Sequence, residues 1–347
     1  MQRVQRVDEE LRGLMKPALE PAEGIVLRED DSLILCAGFE ERAVESLRRF
    51  VVCGCSGFLA IVVTYKPHIA ANRLGEIREL CAKADATVVE VPYDRENPVG
   101  AGEALVHAVG KRQGRILLDV SGMSRLLIVQ ALVAFGESGQ GIGQVCIVYT
   151  EAKEYPPSRE EVQRALATAG PGTIYELVFL SSGVFGVIIV PELSSVALHG
   201  RPVRLVAFPS FNPDQLAMLR SELQPSYFTL VHGLPHLKEN AWRRDAIKVL
   251  NATEQIPRRE DFEASTLDYR QVLDLLLYIY ATHGASERIV IAPTGSKMQA
   301  VAVGLFRLFM GDVQIAYPPP RAYPCPEEYT RGVLAVYRLP LDAFASV

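Results

Sequence analysis

The chain has 347 residues, of which 49% are hydrophobic and 22% charged, and a formal net charge of −5. That length accommodates two domains of ordinary size with sizeable cores, and the acidic balance argues against a general binder of duplex DNA, which advertises itself by a basic surface. The six cysteines hold one close pair, Cys53-Gly54-Cys55, without the spacing of a zinc or redox site. They read as buried or incidental thiols of a reducing cytoplasm, and no metal or cofactor is expected.

The chain opens with a short amphipathic helix (Val4, Val7, Leu11, Leu14) that ends at Pro17 and leads into a linker; residues 1–30 form this entry segment. It is too charged for a signal peptide. The longest apolar run, Val184 to Val190, is too short to span a bilayer, so a cytoplasmic protein without a membrane partner is expected.

From residue 31 the chain alternates strand and helix patterns, and it does so twice. Strand Leu33–Ala37 runs into Gly38-Phe39 and a helix; strand Leu205–Phe208 runs into Pro209 to Pro213, with Phe211 in the place of Phe39, and a helix. Strands FLAIVVT and YFTLVH each lead to Pro-His-x-x-x-Asn, which gives Pro67, His68 and Asn72 in one copy and Pro235, His236 and Asn240 in the other. A third strand ends at Pro92 in the first copy and matches EQIP, ending at Pro257, in the second. After a further helix come ILLD and IVIA, each followed by a tight loop and an apolar helix. Then Tyr149 and Tyr155 match Tyr317 and Tyr323, and Gly183–Val187 matches Gly332–Val336. The first copy carries an additional helical pattern over Ser158–Ala169.

So many features in one order point to an internal duplication, with units at about 31–193 and 202–347. Strands alternating with helices imply parallel sheets covered on both faces. The expected fold is therefore α/β: two duplicated units of mainly parallel sheet, paired as an intramolecular pseudo-dimer.

In such sheets ligands sit at the carboxyl ends of the strands, where the unusual residues of this chain collect. The two loops after ILLD and IVIA are Asp119-Val120-Ser121-Gly122-Met123-Ser124-Arg125 and Pro293-Thr294-Gly295-Ser296-Lys297. Each combines hydroxyls, a glycine that permits close backbone approach and a cation at a helix start, which suits an anion. Gly38, Phe39, His68, Asn72, Phe211, His236, Asn240 and Tyr323 complete the candidate binding set, because aromatic side chains can stack bases. The hydroxyls and asparagines also fit helix caps. Glu40-Glu41-Arg42 reads as a solvated helix start, and Trp242 as a half-buried helix residue. Walker A, GxGxxG, HExxH and GxSxG patterns are absent from the places where they would act.

The segment Ala292-Pro293-Thr294-Gly295-Ser296-Lys297-Met298 resembles the CARF family, the Rossmann-like sensor domains of prokaryotic defence proteins, in which a late strand runs into a Thr-Gly-Gly-Thr-Lys-like loop. Asp119 to Arg125 looks like a diverged copy, and a tandem of two units resembles the related SAVED arrangement. Two departures stand out: Ser296 replaces the second glycine, and Met123 is inserted in the first copy. The resemblance implies phosphate or backbone contacts for Ser121, Gly122, Ser124, Arg125, Thr294, Gly295, Ser296 and Lys297. It further implies a cyclic oligonucleotide held in the cleft between two units, with the signal passed to a separate effector protein in antiviral defence. Two alternatives share the fold: a metal-independent ring nuclease using His236 and Lys297, and a scaffold subunit with a vestigial pocket.

Overall fold

The computed structural model describes residues 2–168, 181–252, 258–323 and 329–347. They fall into two compact units, one of Met1–Tyr155 with Pro326–Val347 and one of Pro156–Cys325.

The first unit begins with α1 (Gln2–Gly13) and the two-residue strand β1 (Glu20–Pro21). It then alternates β2 (Ser32–Cys36), α2 (Glu45–Val52), β3 (Leu59–Lys66), α3 (Leu74–Lys83), β4 (Thr87–Asp94), α4 (Ala101–Val109), β5 (Ile116–Asp119), α5 (Arg125–Glu137) and β6 (Val145–Glu154). Five of these strands pair in parallel in the order β6-β5-β2-β3-β4. Every residue of SLILC and ILLD is buried, as strands covered on both faces require. Leu33, Leu35, Leu47, Phe50, Phe58, Val62, Ile77 and Cys81 belong to one core cluster. Apolar nearly all round, α5 is correspondingly buried from Leu126 to Val133.

The second unit holds α6 (Arg159–Thr168), β7 (Ser182–Val184), β8 (Val203–Ala207), α7 (Pro213–Leu223), β9 (Tyr227–Leu234), α8 (Trp242–Leu250), β10 (Arg259–Ser265), α9 (Tyr269–His283), β11 (Arg288–Ala292), α10 (Lys297–Phe309), β12 (Gln314–Ile315) and β13 (Pro320–Ala322). Its main sheet is parallel throughout, in the order β10-β9-β8-β11-β12. Both units are thus α/β, with a mixed sheet in the first and a parallel one in the second.

Three features differ from expectation. The strand beside β9 is β10, downstream of Pro257; the EQIP segment lies outside the described residues. With the sequence REDFEAS, β10 is an edge strand that carries charges at four of its seven positions, so it has no apolar run to betray it. The unit boundaries differ too. β14 (Arg331–Pro340), the last strand of the chain, pairs antiparallel with β6, and β1 pairs with β14 at the far edge. The expected unit 202–347 is therefore not one compact body. Conversely, β7 pairs antiparallel with β13, and Ile188 bridges Tyr317, all inside the second unit. Gly183–Val187 and Gly332–Val336, the two end segments matched in sequence, thus each pair within the unit opposite to the one expected. Patterning identifies a strand by its own residues and says nothing of its partner, which is why this exchange is not legible in sequence. Ala169, at the end of the additional helical pattern, lies outside the described residues.

Candidate functional site

In the first unit the chain leaves β2 for β3 and β4 on one side and returns to β5 and β6 on the other. In the second it does the same around β8. The loops after β2 and β5, and those after β8 and β11, therefore border the point where the strand order reverses, the usual ligand position in an open α/β sheet. These are the two pairs of loops singled out by their residues.

The loop after β5 is braced from three directions. Asp119, 1% exposed, accepts a hydrogen bond from the Ser121 N–H at 2.8 Å and another from the Ser46 hydroxyl on α2. The Ser121 hydroxyl, fully buried, accepts from the Thr150 N–H on β6 at 2.8 Å. From the end of β3, the Tyr65 hydroxyl donates to the Gly122 carbonyl at 2.9 Å and accepts from the Ser124 N–H at 2.7 Å. Ser124 caps α5 by accepting from the Leu127 N–H at 3.2 Å, and its hydroxyl meets that of Tyr93 at 3.2 Å. Gly122 is demanded by packing, since a Cβ there would stand 2.9 Å from Ala43 Cβ and 3.1 Å from the Cys36 carbonyl oxygen. Gly38, across from it, has ordinary room. Burial pushes the Asp119 carboxyl up to about 6, against the opposing pull of the Ser121 and Ser46 hydrogen bonds and the Arg42 charge.

The loop after β11 is braced by different chemistry. The Thr294 hydroxyl, buried, donates to the Phe208 carbonyl at 2.7 Å and accepts from the Phe208 N–H at 3.3 Å, which ties the loop to the end of β8. Ser296 and Gln299 form a capping box: the Ser296 hydroxyl accepts from the Gln299 N–H at 3.1 Å, and Gln299 Oε1 accepts from the Ser296 N–H at 2.8 Å. The same Ser296 hydroxyl donates to the Thr266 carbonyl at 2.6 Å. A Cβ on Gly295 would collide with Gln299 Oε1 and approach Phe208 Cβ to 2.9 Å. Arg125 and Lys297 are the first residues of α5 and α10, both half-buried.

The remaining candidates sort into two groups. Asn72 is a turn former: its Oδ1 accepts from the Leu74 N–H at 3.0 Å, and its Nδ2 donates to the Ile69 carbonyl at 2.7 Å and lies 2.6 Å from His68 Nε2. Asn240 ends a single 3-10 turn, and α3 and α8 each begin two residues past their asparagine. His68 and His236 are exposed, and Tyr323 is half-buried just past β13. The aromatic candidates have aromatic neighbours. Phe39 meets Tyr329 edge-on at 5.3 Å, and Phe211 lies 6.4 Å from Trp242, itself half-buried as expected.

Glu40-Glu41-Arg42 is not a solvated helix start. Arg42 is 4% exposed and pairs with Glu40 at 2.7 Å, and its guanidinium reaches the Tyr149 hydroxyl at 3.3 Å and the Thr150 carbonyl and Tyr155 hydroxyl at 3.4 Å. Burial alone would weaken the guanidinium's hold on its proton, but Glu40 and the two tyrosines raise its pKa well above the ordinary value. Thr330, next to the final strand, donates to Glu40 at 3.1 Å. Reading Glu-x-Arg as a surface run missed this cluster. Its position at the carboxyl end of β2, with Tyr149 in β6 and Tyr155 just after it, was the available signal.

Among the described residues no group of three or more His, Cys, Asp or Glu could hold a metal ion, and no helix is long and apolar enough to cross a membrane. A scan of protein-family models and a search of curated proteins each find no match to this chain.

Proposed function

We propose that the protein is a nucleotide sensor of the CARF and SAVED kind, built from two copies of one unit and acting on a separate effector in prokaryotic antiviral defence. One observation carries the reading: both units set a strand, a tight glycine loop and a helix opened by a cation, Arg125 or Lys297, at the strand-order reversal of the sheet. A nucleotide phosphate is the anion such a helix start favours. The reciprocal placement of β7 and β14 supports the duplication, since matching segments of the two repeats take matching places beside β13 and β6.

A second reading, a scaffold subunit with a vestigial pocket, is favoured by a different observation. The hydroxyls of Ser121, Thr294 and Ser296 are committed to main-chain partners within the fold. Thermal unfolding against cyclic di-, tri-, tetra- and hexanucleotides, linear oligoadenylates and mononucleotides separates the two. A ligand that binds only the folded protein stabilises it by about 2.7 kcal/mol at 100 times its dissociation constant. A shift from one species that is weakened in Lys297→Ala or Arg125→Ala supports the sensor. No shift from any species transfers the function to the scaffold reading.

A further inference from the structure

The loop after β8 buries Phe208, engages its polar groups inward and leaves Phe211 half-exposed. The Ser210 hydroxyl accepts from the Asn212 N–H at 3.1 Å and donates to Gln215 Oε1 at 3.0 Å. Asn251, at the end of α8, donates to the Ser210 carbonyl at 2.8 Å, and Asn212 Nδ2 reaches the Ser181 hydroxyl at 3.2 Å. Gln215, on α7, donates to the Pro318 carbonyl at 2.8 Å. Ser210, Asn212 and Gln215 thus fix the backbone on either side of Phe211, whose ring stays half-exposed. Beside it lies Trp242, the one tryptophan of the chain. The Arg243 guanidinium fills the wedge between the rings, 4.8 Å from the Phe211 centroid and 5.2 Å from that of Trp242. Its two terminal nitrogens donate to the carbonyls of Pro157 and Pro156 at 3.1 and 3.2 Å, which sets the plane of the cation.

We propose that Phe211, Trp242 and Arg243 form a stacking platform for the flat ring of a nucleobase. The inference rests on the sensor reading and deepens it, because it assigns base recognition to residues other than the cation loops. Three planar groups held at fixed angles, partly open to solvent and anchored by a loop whose polar groups are engaged inward, offer a π surface that needs little ordering when a ring arrives. The same economy of ordering makes rigid aromatic side chains effective anchors elsewhere. The platform is made of ring and guanidinium planes, and every base has a π face, so it accepts any base and leaves the choice among bases to other contacts.

Trp242 reports on its own site. Its fluorescence, excited at about 295 nm so that indole dominates over the tyrosines, is titrated with AMP, GMP, CMP and UMP and with ribose 5-phosphate, which carries the phosphate and lacks the base. The expected result is saturable quenching by at least one nucleotide and none by ribose 5-phosphate. In Phe211→Leu, which keeps apolar bulk and removes the ring, the apparent affinity falls about 5- to 150-fold, the range expected for losing one base–aromatic stack. A circular dichroism melt establishes that the variant folds. No saturable response to any nucleotide, or an unchanged affinity in Phe211→Leu, overturns the platform. The two readings fail separately. Thermal stabilisation by a nucleotide that depends on Lys297 but leaves Trp242 silent keeps the sensor and discards the platform, whereas a tryptophan response insensitive to both Lys297→Ala and Arg125→Ala keeps the platform and discards the cation loops.

Discussion

Replacing Asp119 by Asn should make the protein more stable at neutral pH and should abolish part of its pH dependence. The carboxyl is buried at the end of β5, and its pKa rises from the ordinary 3.8 to about 6. A group whose pKa is higher in the folded than in the unfolded state favours folding most when protonated. Its contribution is fully present below about pH 4, is lost as pH rises through 6, and then stays lost. That rise corresponds to about 3 kcal/mol, at about 1.36 kcal/mol per pH unit. An amide at this position would remove that cost while keeping the geometry: its oxygen can still accept from the Ser121 N–H, and its nitrogen can donate to the Ser46 hydroxyl. Urea unfolding of both proteins at about pH 7.5 and about pH 4.5 measures the difference. The expected gain for Asp119→Asn is up to about 3 kcal/mol at the higher pH, with most of it gone at the lower. A variant that is less stable than the parent at neutral pH, or a difference that does not change with pH, would refute the reasoning. Either result would mean that the carboxylate's hydrogen bonds outweigh the burial of its charge.

Tyr65→Phe removes one hydroxyl that both donates to Gly122 and accepts from Ser124; a loss of about 1–3 kcal/mol is expected, read as a lower unfolding midpoint with the helical circular dichroism unchanged. Deleting residues 329–347 strips β14 from β6 and leaves β1 without its partner. That truncated chain should lose the cooperative unfolding of the first unit while hydrogen-exchange protection persists in β8, β9 and β11; a truncated chain with a protected β6 would contradict the assignment of the last strand. The dependence of nucleotide stabilisation on Lys297 and Arg125, and the dependence of the tryptophan response on Phe211, complete the set.

Most of the strand and helix order could be read from the chain because parallel α/β units write themselves in runs: SLILC, ILLD and IVIA are apolar strands that run into loops and helices. The carboxyl-end position of the cation loops followed from the same pattern. Three things were hidden, each for a physical reason. β10 is an edge strand and carries charges where a central strand carries Val or Ile. The exchange of β7 and β14 depends on pairing between segments far apart in sequence, and neither segment's residues encode the partner. Arg42 looks like a surface residue by type and becomes a core one through Glu40, Tyr149 and Tyr155, three groups that only the fold assembles. Ser121 and Thr294 show the limit of motif reading from the other side, since a hydroxyl in a phosphate-suited loop can equally hold that loop to a neighbouring strand.

The two cation loops are matched in place and different in chemistry, and the difference lies beneath the cation. The loop before Arg125 is anchored on a carboxylate whose burial costs free energy at neutral pH, while the loop before Lys297 is anchored on neutral groups, Thr294 and the Ser296–Gln299 capping box. A buried, costly charge is a poor choice for holding a loop still, since asparagine would serve the same hydrogen bonds. Neutral anchoring leaves the Lys297 loop the same at every pH between about 5 and 8, whereas Asp119 changes charge inside that window and with it the strength of its bonds to Ser121 and Ser46. Within one chain, then, two corresponding positions of the α/β fold carry one loop indifferent to protons and one coupled to them. The two units are therefore expected to contribute unequally to any ligand they bind.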